Sequence, residues 1–232
     1  MSIEENVALV RQNIARAAAE VGRSADEITL VGASKMNDAD ACRAAIAAGI
    51  DALGENRVQE MTQKLAENAY DGAPLHFIGH LQRNKVKQVV GKVALIQSAG
   101  SQELLALIDA RSDKLGIVQD VLLEVNVGGE DAKSGFAPDA VFSAAQDAKS
   151  LSHVRVRGLM CIPPVAEGEH GSIPYFEKVH ALWVDINEKL YDNKLDILSM
   201  GMSGDYEDAV RAGATMVRVG TAIFGHRDYT IS

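Results

Sequence analysis

Two side chains and a pair of loops carry the chemistry that this sequence can offer, and each stands at the end of an apolar run. Lys35 follows Leu30-Val31-Gly32-Ala33-Ser34. A lysine partly withdrawn from water loses proton affinity, which frees its amine to attack a carbonyl and form a Schiff base. A surface lysine that opens a loop is the plainer reading of the same position. Arg218 lies inside the run Met216-Val217-Arg218-Val219. An interior guanidinium needs a partner, because burying it unpaired is costly. That partner is either a carboxylate inside the fold or the ring nitrogen of a bound pyridine. The loops are built on Gly201, Ser203 and Gly204 and on Gly220 and Thr221, all small or hydroxylated. Such loops suit a phosphate held by backbone N–H groups at a helix N-terminus. Turn and capping chemistry is the alternative, with Ser203 capping a helix that begins at Tyr206.

Lysine, phosphate cradle and arginine together describe pyridoxal 5′-phosphate, with Glu55 and Asn56 read either as a pair that tunes or orients it or as a plain loop anchor. Metal chemistry lacks support, since none of the six histidines forms an HxxxH or HExxH pair on a helix. His76 and His80 read as loop or mouth residues, and Cys161 as a small buried hydrophobe or a residue facing the cofactor. Lys133-Ser134-Gly135 reads as a loop that closes over the site or as a solvated turn. There is no GxSxG elbow, P-loop or Rossmann glycine fingerprint.

The elements that must position these groups alternate in type. Eight β-rich runs are expected at 29–34, 52–54, 76–78, 93–96, 121–127, 154–159, 196–199 and 216–219. Helices are expected between them at 39–48, 58–69, 84–90, 101–115, 138–150, 176–190 and 206–212. A further helix at the N-terminus places Val7, Val10, Ile14 and Ala17-Ala18 at helical spacing. Strands that read as continuous apolar runs are covered on both faces, and strict βα alternation argues for a parallel sheet. The expected architecture is α/β, a single (β/α)8 barrel with an extra N-terminal helix. An open doubly wound sheet is the competitor. In a barrel the chemistry gathers at the C-terminal strand ends, where Lys35 and both loops fall. The stretch 163–174 reads as a long polar loop, and no boundary divides residues 1–232, which are expected to form one domain.

Composition excludes other classes. Apolar residues make up 47% of the 232 and charged residues 24%, an ordinary globular mixture, while aromatics at 5% leave the core to aliphatic side chains. With 23 basic against 32 acidic residues the net charge is −9, which disfavours nucleic acid as a partner. Cys42 and Cys161 make neither a disulfide framework nor a cysteine zinc site. No run approaches the roughly 18 apolar residues that span a bilayer, and the first ten residues carry two glutamates and no basic group. A soluble cytoplasmic protein is expected.

The motifs also match a known family. Ser34-Lys35, Gly54-Glu55-Asn56 and His76-Phe77-Ile78-Gly79-His80 occur in order, followed by Asn126 with Lys133-Ser134-Gly135 and by Arg157-Gly158-Leu159-Met160. Ser199-Met200-Gly201-Met202-Ser203 and Arg218-Val219-Gly220-Thr221 close the series. In these the chain resembles the YggS/PROSC family of pyridoxal phosphate homeostasis proteins, whose fold is similar to the barrel domain of alanine racemase. The resemblance implies a pyridoxal phosphate aldimine on Lys35 and a phosphate held by Ser203, Gly220 and Thr221. It also implies Arg218 at the pyridine nitrogen and Asn56 and Met200 beside the ring. One departure is Met36-Asn37-Asp38, where family members often carry a proline.

Two functions compete, a non-catalytic carrier that buffers or delivers the cofactor and an amino acid racemase of the alanine racemase barrel type. Stereoinversion needs an acid/base group on each face of the carbanion, and beside Lys35 the sequence shows no second base. A guanidinium cannot accept a proton, so Arg218 would leave the ring nitrogen unprotonated and weaken the electron sink. The carrier is therefore expected, with apo-enzymes that use pyridoxal phosphate as recipients and no membrane partner, and the family resemblance implies a monomer.

Overall fold

The alternation of strand and helix closes on itself. In the computed structural model, which describes residues 1–130, 134–165, 168 and 170–225, eight strands pair in parallel in chain order and the last returns to the first. They are β1 Thr29–Ala33, β2 Ala52–Glu55, β3 Leu75–Phe77, β4 Leu95–Ala99, β5 Gln119–Val125, β6 Val154–Cys161, β7 Ile197–Ser199 and β8 Met216–Val219. Between them run α2 Ala39–Ala47, α3 Val58–Ala66, α4 Val86–Val89, α5 Gln102–Leu115, α6 Val141–Ala148, α7 Ile173–Leu190 and α8 Tyr206–Arg211. A short α9, Thr221–Phe224, follows β8, and α1, Ile3–Glu20, precedes β1. The β8–β1 pairing, with Val31 opposite Arg218, completes the ring. An open sheet is thereby excluded.

Side chains alternate across each strand, and the two faces fill two cores. On β5, Val121, Leu123 and Val125 pack outward into the large cluster between strands and helices, while Leu122 faces inward. The barrel interior holds Val31, Ala52, Leu95, Leu122, Met160 and Met216. Two residues further along four of the inward rows, the side chains become polar. Gln97 follows Leu95, Glu124 follows Leu122, Ser199 follows Ile197 and Arg218 follows Met216, all four of them buried. The barrel is thus apolar at its floor and polar toward its C-terminal mouth.

Helix α1 begins with a reciprocal cap, in which the Glu5 N–H donates to Ser2 Oγ and the Ser2 N–H to Glu5 Oε2. It buries Val7, Val10 and Ile14, each stabilising by about 1.5–3 kcal/mol. Asn6 donates to the Ile223 carbonyl and Asn13 to the Tyr206 hydroxyl, so α1 braces the helices beside the closing seam. Several boundaries differ from expectation by a few residues, among them β4, expected at 93–96 and found at Leu95–Ala99, and two helix starts. Helix α7 starts at Ile173, within the expected loop, because Pro174 sits in its first turn, where a missing N–H costs nothing. Helix α6 starts at Val141 rather than 138, with no side chain capping it.

Candidate functional site

Lys35 stands two residues beyond the end of β1, half-buried, next to a tightly pinned Ser34. The Ser34 hydroxyl donates to Glu55 Oε1 at 2.6 Å, and the Lys64 ammonium donates both to that oxygen at 2.6 Å and to the Ser34 carbonyl at 2.8 Å. Tyr70 adds a third donor, its hydroxyl, at 3.1 Å. Glu55 is fully buried, and among the described residues its other oxygen, Oε2, has no hydrogen-bond partner. After Lys35 the chain turns sharply. The Asn37 N–H returns to the Ser34 carbonyl, and Met36 adopts φ 61°, a conformation that glycine or asparagine usually supplies at this place in a turn. The Met36 N–H is tied to Glu60 Oε2 at 2.7 Å. Among the described residues the Lys35 ammonium has neither a hydrogen bond nor an ion pair.

Arg218 is 2% exposed. The two partners expected for it were a carboxylate or a ligand, and among the described residues no carboxylate is bonded to it. Its Nη1 donates to Ser199 Oγ at 2.6 Å and its Nη2 to the Cys161 carbonyl at 2.9 Å. From Ser199 a relay crosses the barrel, the hydroxyl donating to Gln97 Oε1 at 2.6 Å and Gln97 Nε2 to His76 Nδ1 at 3.0 Å. His76 therefore lies inside the barrel rather than at its mouth, and burial pulls its pKa down to about 4. Burial also draws the guanidinium below its ordinary value and pushes the buried Cys161 thiol up to about 12.

The loops after β7 and β8 meet through Ser203. Its Oγ accepts the Gly220 N–H at 3.1 Å and the Ala222 N–H at 3.2 Å, so it caps α9 and not the helix at Tyr206. The expected cap was placed by sequence proximity, whereas the N–H groups come from the neighbouring strand's loop. Thr221 opens α9 and Met200 is buried beneath. Gly201, at φ 91°, is required here, since a Cβ would lie 2.5 Å from that of Ala209. On the other side of the mouth, Asn56 is set by Gly79, whose Cβ would fall 2.2 Å from the Asn56 carbonyl oxygen.

Three residues that sequence reasoning passed over belong to this region. Glu124 lines the mouth and accepts from Ser134 Oγ at 2.9 Å, with burial raising its pKa. It is a buried carboxylate at the mouth. Lys64 and Gln97 are the others. The signals were present, since Glu124 and Gln97 follow inward-facing residues at period two and Lys64 follows Val58 and Met61 at helical spacing. His80 is exposed at the mouth. Lys133 lies outside the described residues.

Residues 6–228 match the family model for the alanine racemase N-terminal domain. A curated relative, the pyridoxal phosphate homeostasis protein of Aquifex aeolicus, is 42% identical over 99% of this chain and 100% of its own. The chain belongs to the pyridoxal phosphate homeostasis (YggS/PROSC) family. Among solved structures, this family member is similar to PipY of Synechococcus elongatus PCC7942 with pyridoxal phosphate bound. The two share 32% identity at a TM-score of 0.79 over 91% of this chain and 100% of PipY. An alanine racemase from Clostridium difficile 630, 17% identical with a TM-score of 0.71, covers 97% of the chain and is itself covered over 58%. That likeness shows the shared barrel fold.

Proposed function

We propose that this family member binds pyridoxal 5′-phosphate at the C-terminal mouth of its barrel and serves in homeostasis of that cofactor, by buffering or delivery. The observation that carries the reading is that the adjacent strands β1 and β8 bring to one end of the barrel a lysine ammonium without a partner and a buried arginine without a bonded carboxylate, both among the described residues. Lys35 is the covalent anchor. Ser203, Gly220 and Thr221 hold the phosphate where the two loops converge, Arg218 turns toward the pyridine nitrogen, and Asn56 and Met200 flank the ring. The names of the relatives and the cofactor in PipY support this assignment. The fit is chemical as well, because a buried guanidinium bonded to one hydroxyl and one carbonyl keeps donor capacity for another acceptor.

Bound there, the cofactor would supply an aldehyde for the lysine amine and an electron-withdrawing ring. Arg218 donates and cannot accept a proton, so it holds the ring nitrogen unprotonated, which disfavours racemisation and transamination. The role is accordingly that of a carrier without robust catalysis, formed by residues 1–232 as one domain. We place it as a cytoplasmic monomer whose recipients are apo-enzymes that use pyridoxal phosphate. Among the described residues no helix is long and apolar enough to cross a membrane. The racemase reading has one observation in its favour, a buried carboxylate at the mouth, Glu124. Adding pyridoxal phosphate to the purified protein should produce a lysine-bound absorbance band, and the loaded protein should leave either alanine enantiomer essentially unchanged. Absence of the band would refute binding, and rapid racemisation would refute the carrier.

A further inference from the structure

The mouth cavity presents acceptors without a matching cation. It encloses about 490 Å³, with Glu124, Asn56, His80 and Ser134 on its polar side and Ile78 and Ile162 among its apolar walls. The Glu124 carboxylate is 9% exposed and accepts one hydrogen bond, from the neutral Ser134 hydroxyl at 2.9 Å. His80 and Arg218 act on it through the field alone. Among the described residues, no lysine or arginine lines the cavity. Asn56 Oδ1, a second acceptor, is buried with no hydrogen-bond partner among those residues. A buried carboxylate compensated by one neutral donor is short of positive charge.

We infer that this cavity is a subsite for a primary alkylammonium group, with Glu124 as its counter-ion and Ile78 and Ile162 against the alkyl chain. The ligand class is an amine with no carboxylate beside its nitrogen. An α-amino acid would bring its own carboxylate against Glu124 and find no guanidinium in the cavity to receive it, so like charges would repel. The setting rests on the cofactor reading, since an amine here would lie at the same mouth. The subsite itself is formed by the chain's own side chains and is testable without the cofactor.

Butylamine and norvaline differ by one carboxylate and make the direct probe. Calorimetric titration of the cofactor-free full-length protein should show butylamine binding at least about tenfold more tightly than norvaline. Glu124→Gln, which keeps the shape and removes the charge, should weaken butylamine by about 10- to 150-fold, the loss of one charged hydrogen bond, and spare norvaline. Ser134→Ala, which removes the donor that orients the carboxylate, should weaken butylamine several-fold and serves if the glutamine variant does not fold. No butylamine binding, equal affinities, or a folded Glu124→Gln protein with unchanged affinity would overturn the inference. Cofactor binding is read separately, by the lysine-bound absorbance band. Amine discrimination without that band would sink the cofactor reading and keep the subsite, and the reverse result would do the opposite.

Discussion

Ser203 shows how one side chain joins two loops that are far apart in sequence. Its Oγ gathers the N–H groups of Gly220 and Ala222 and so sets the start of α9 beside the loop after β7. The same hydroxyl thus has a structural role and, under the proposed function, a ligand-binding one as well, and one substitution separates them. Ser203→Ala should cost about 1 kcal/mol as a lost helix cap, lowering the melting temperature by about 2–4 °C at this chain length. It should also weaken pyridoxal phosphate by roughly tenfold or more, the worth of a hydrogen bond to a charged group, while pyridoxal without the phosphate loses much less. Equal losses for the two ligands, measured by fluorescence titration, would leave Ser203 with the cap alone. The sequence marked Ser203 because small and hydroxylated residues cluster there. Its capping partners lie 17 and 19 positions away, a distance that local reading does not bridge.

At the scale of elements, the lysine-bearing turn is held by a neighbour the sequence did not flag. Lys64 reaches from α3 to Glu55 on β2 and to the backbone of Ser34, tying helix, strand and turn into one buried unit. Lys64→Met should cost about 3–5 kcal/mol, because it strands a buried carboxylate. Pairing it with Glu55→Gln should recover part of that loss. Chemical denaturation of the two single variants and the double variant measures this, and strictly additive losses would show that the pair does not couple. Strands were legible as apolar runs because both faces of each are covered, and all eight overlap the expected runs, with ends displaced by up to three residues. Lys64 was not, because a lysine on a helix reads as solvated until its i−3 and i−6 neighbours, Met61 and Val58, are seen to be buried.

Over the whole molecule the barrel grades from an apolar floor to a polar mouth. His76 sits inside it as a neutral acceptor, its folded pKa of about 4 lying below the ordinary value of 6.5. A depressed pKa means that the unfolded chain binds the proton first. The contribution of His76 is therefore complete above pH 6.5 and is lost as pH falls toward 4, by about 3 kcal/mol in all. Urea denaturation across that window should show the fall, and His76→Gln should flatten it; an identical slope in the variant would place the acid sensitivity elsewhere. The gradient was present in the sequence, in pairs such as Leu95 with Gln97 and Met216 with Arg218. It became visible once the register showed which residues face inward. The central claim, that Lys35 anchors pyridoxal phosphate, is tested most directly by borohydride reduction of the loaded protein followed by peptide mass mapping. The account predicts one phosphopyridoxyl label, on Lys35, which Lys35→Ala abolishes while the protein stays folded. A label on Lys85, Lys64 or any lysine other than Lys35, or none on a chain that binds the cofactor, would contradict it.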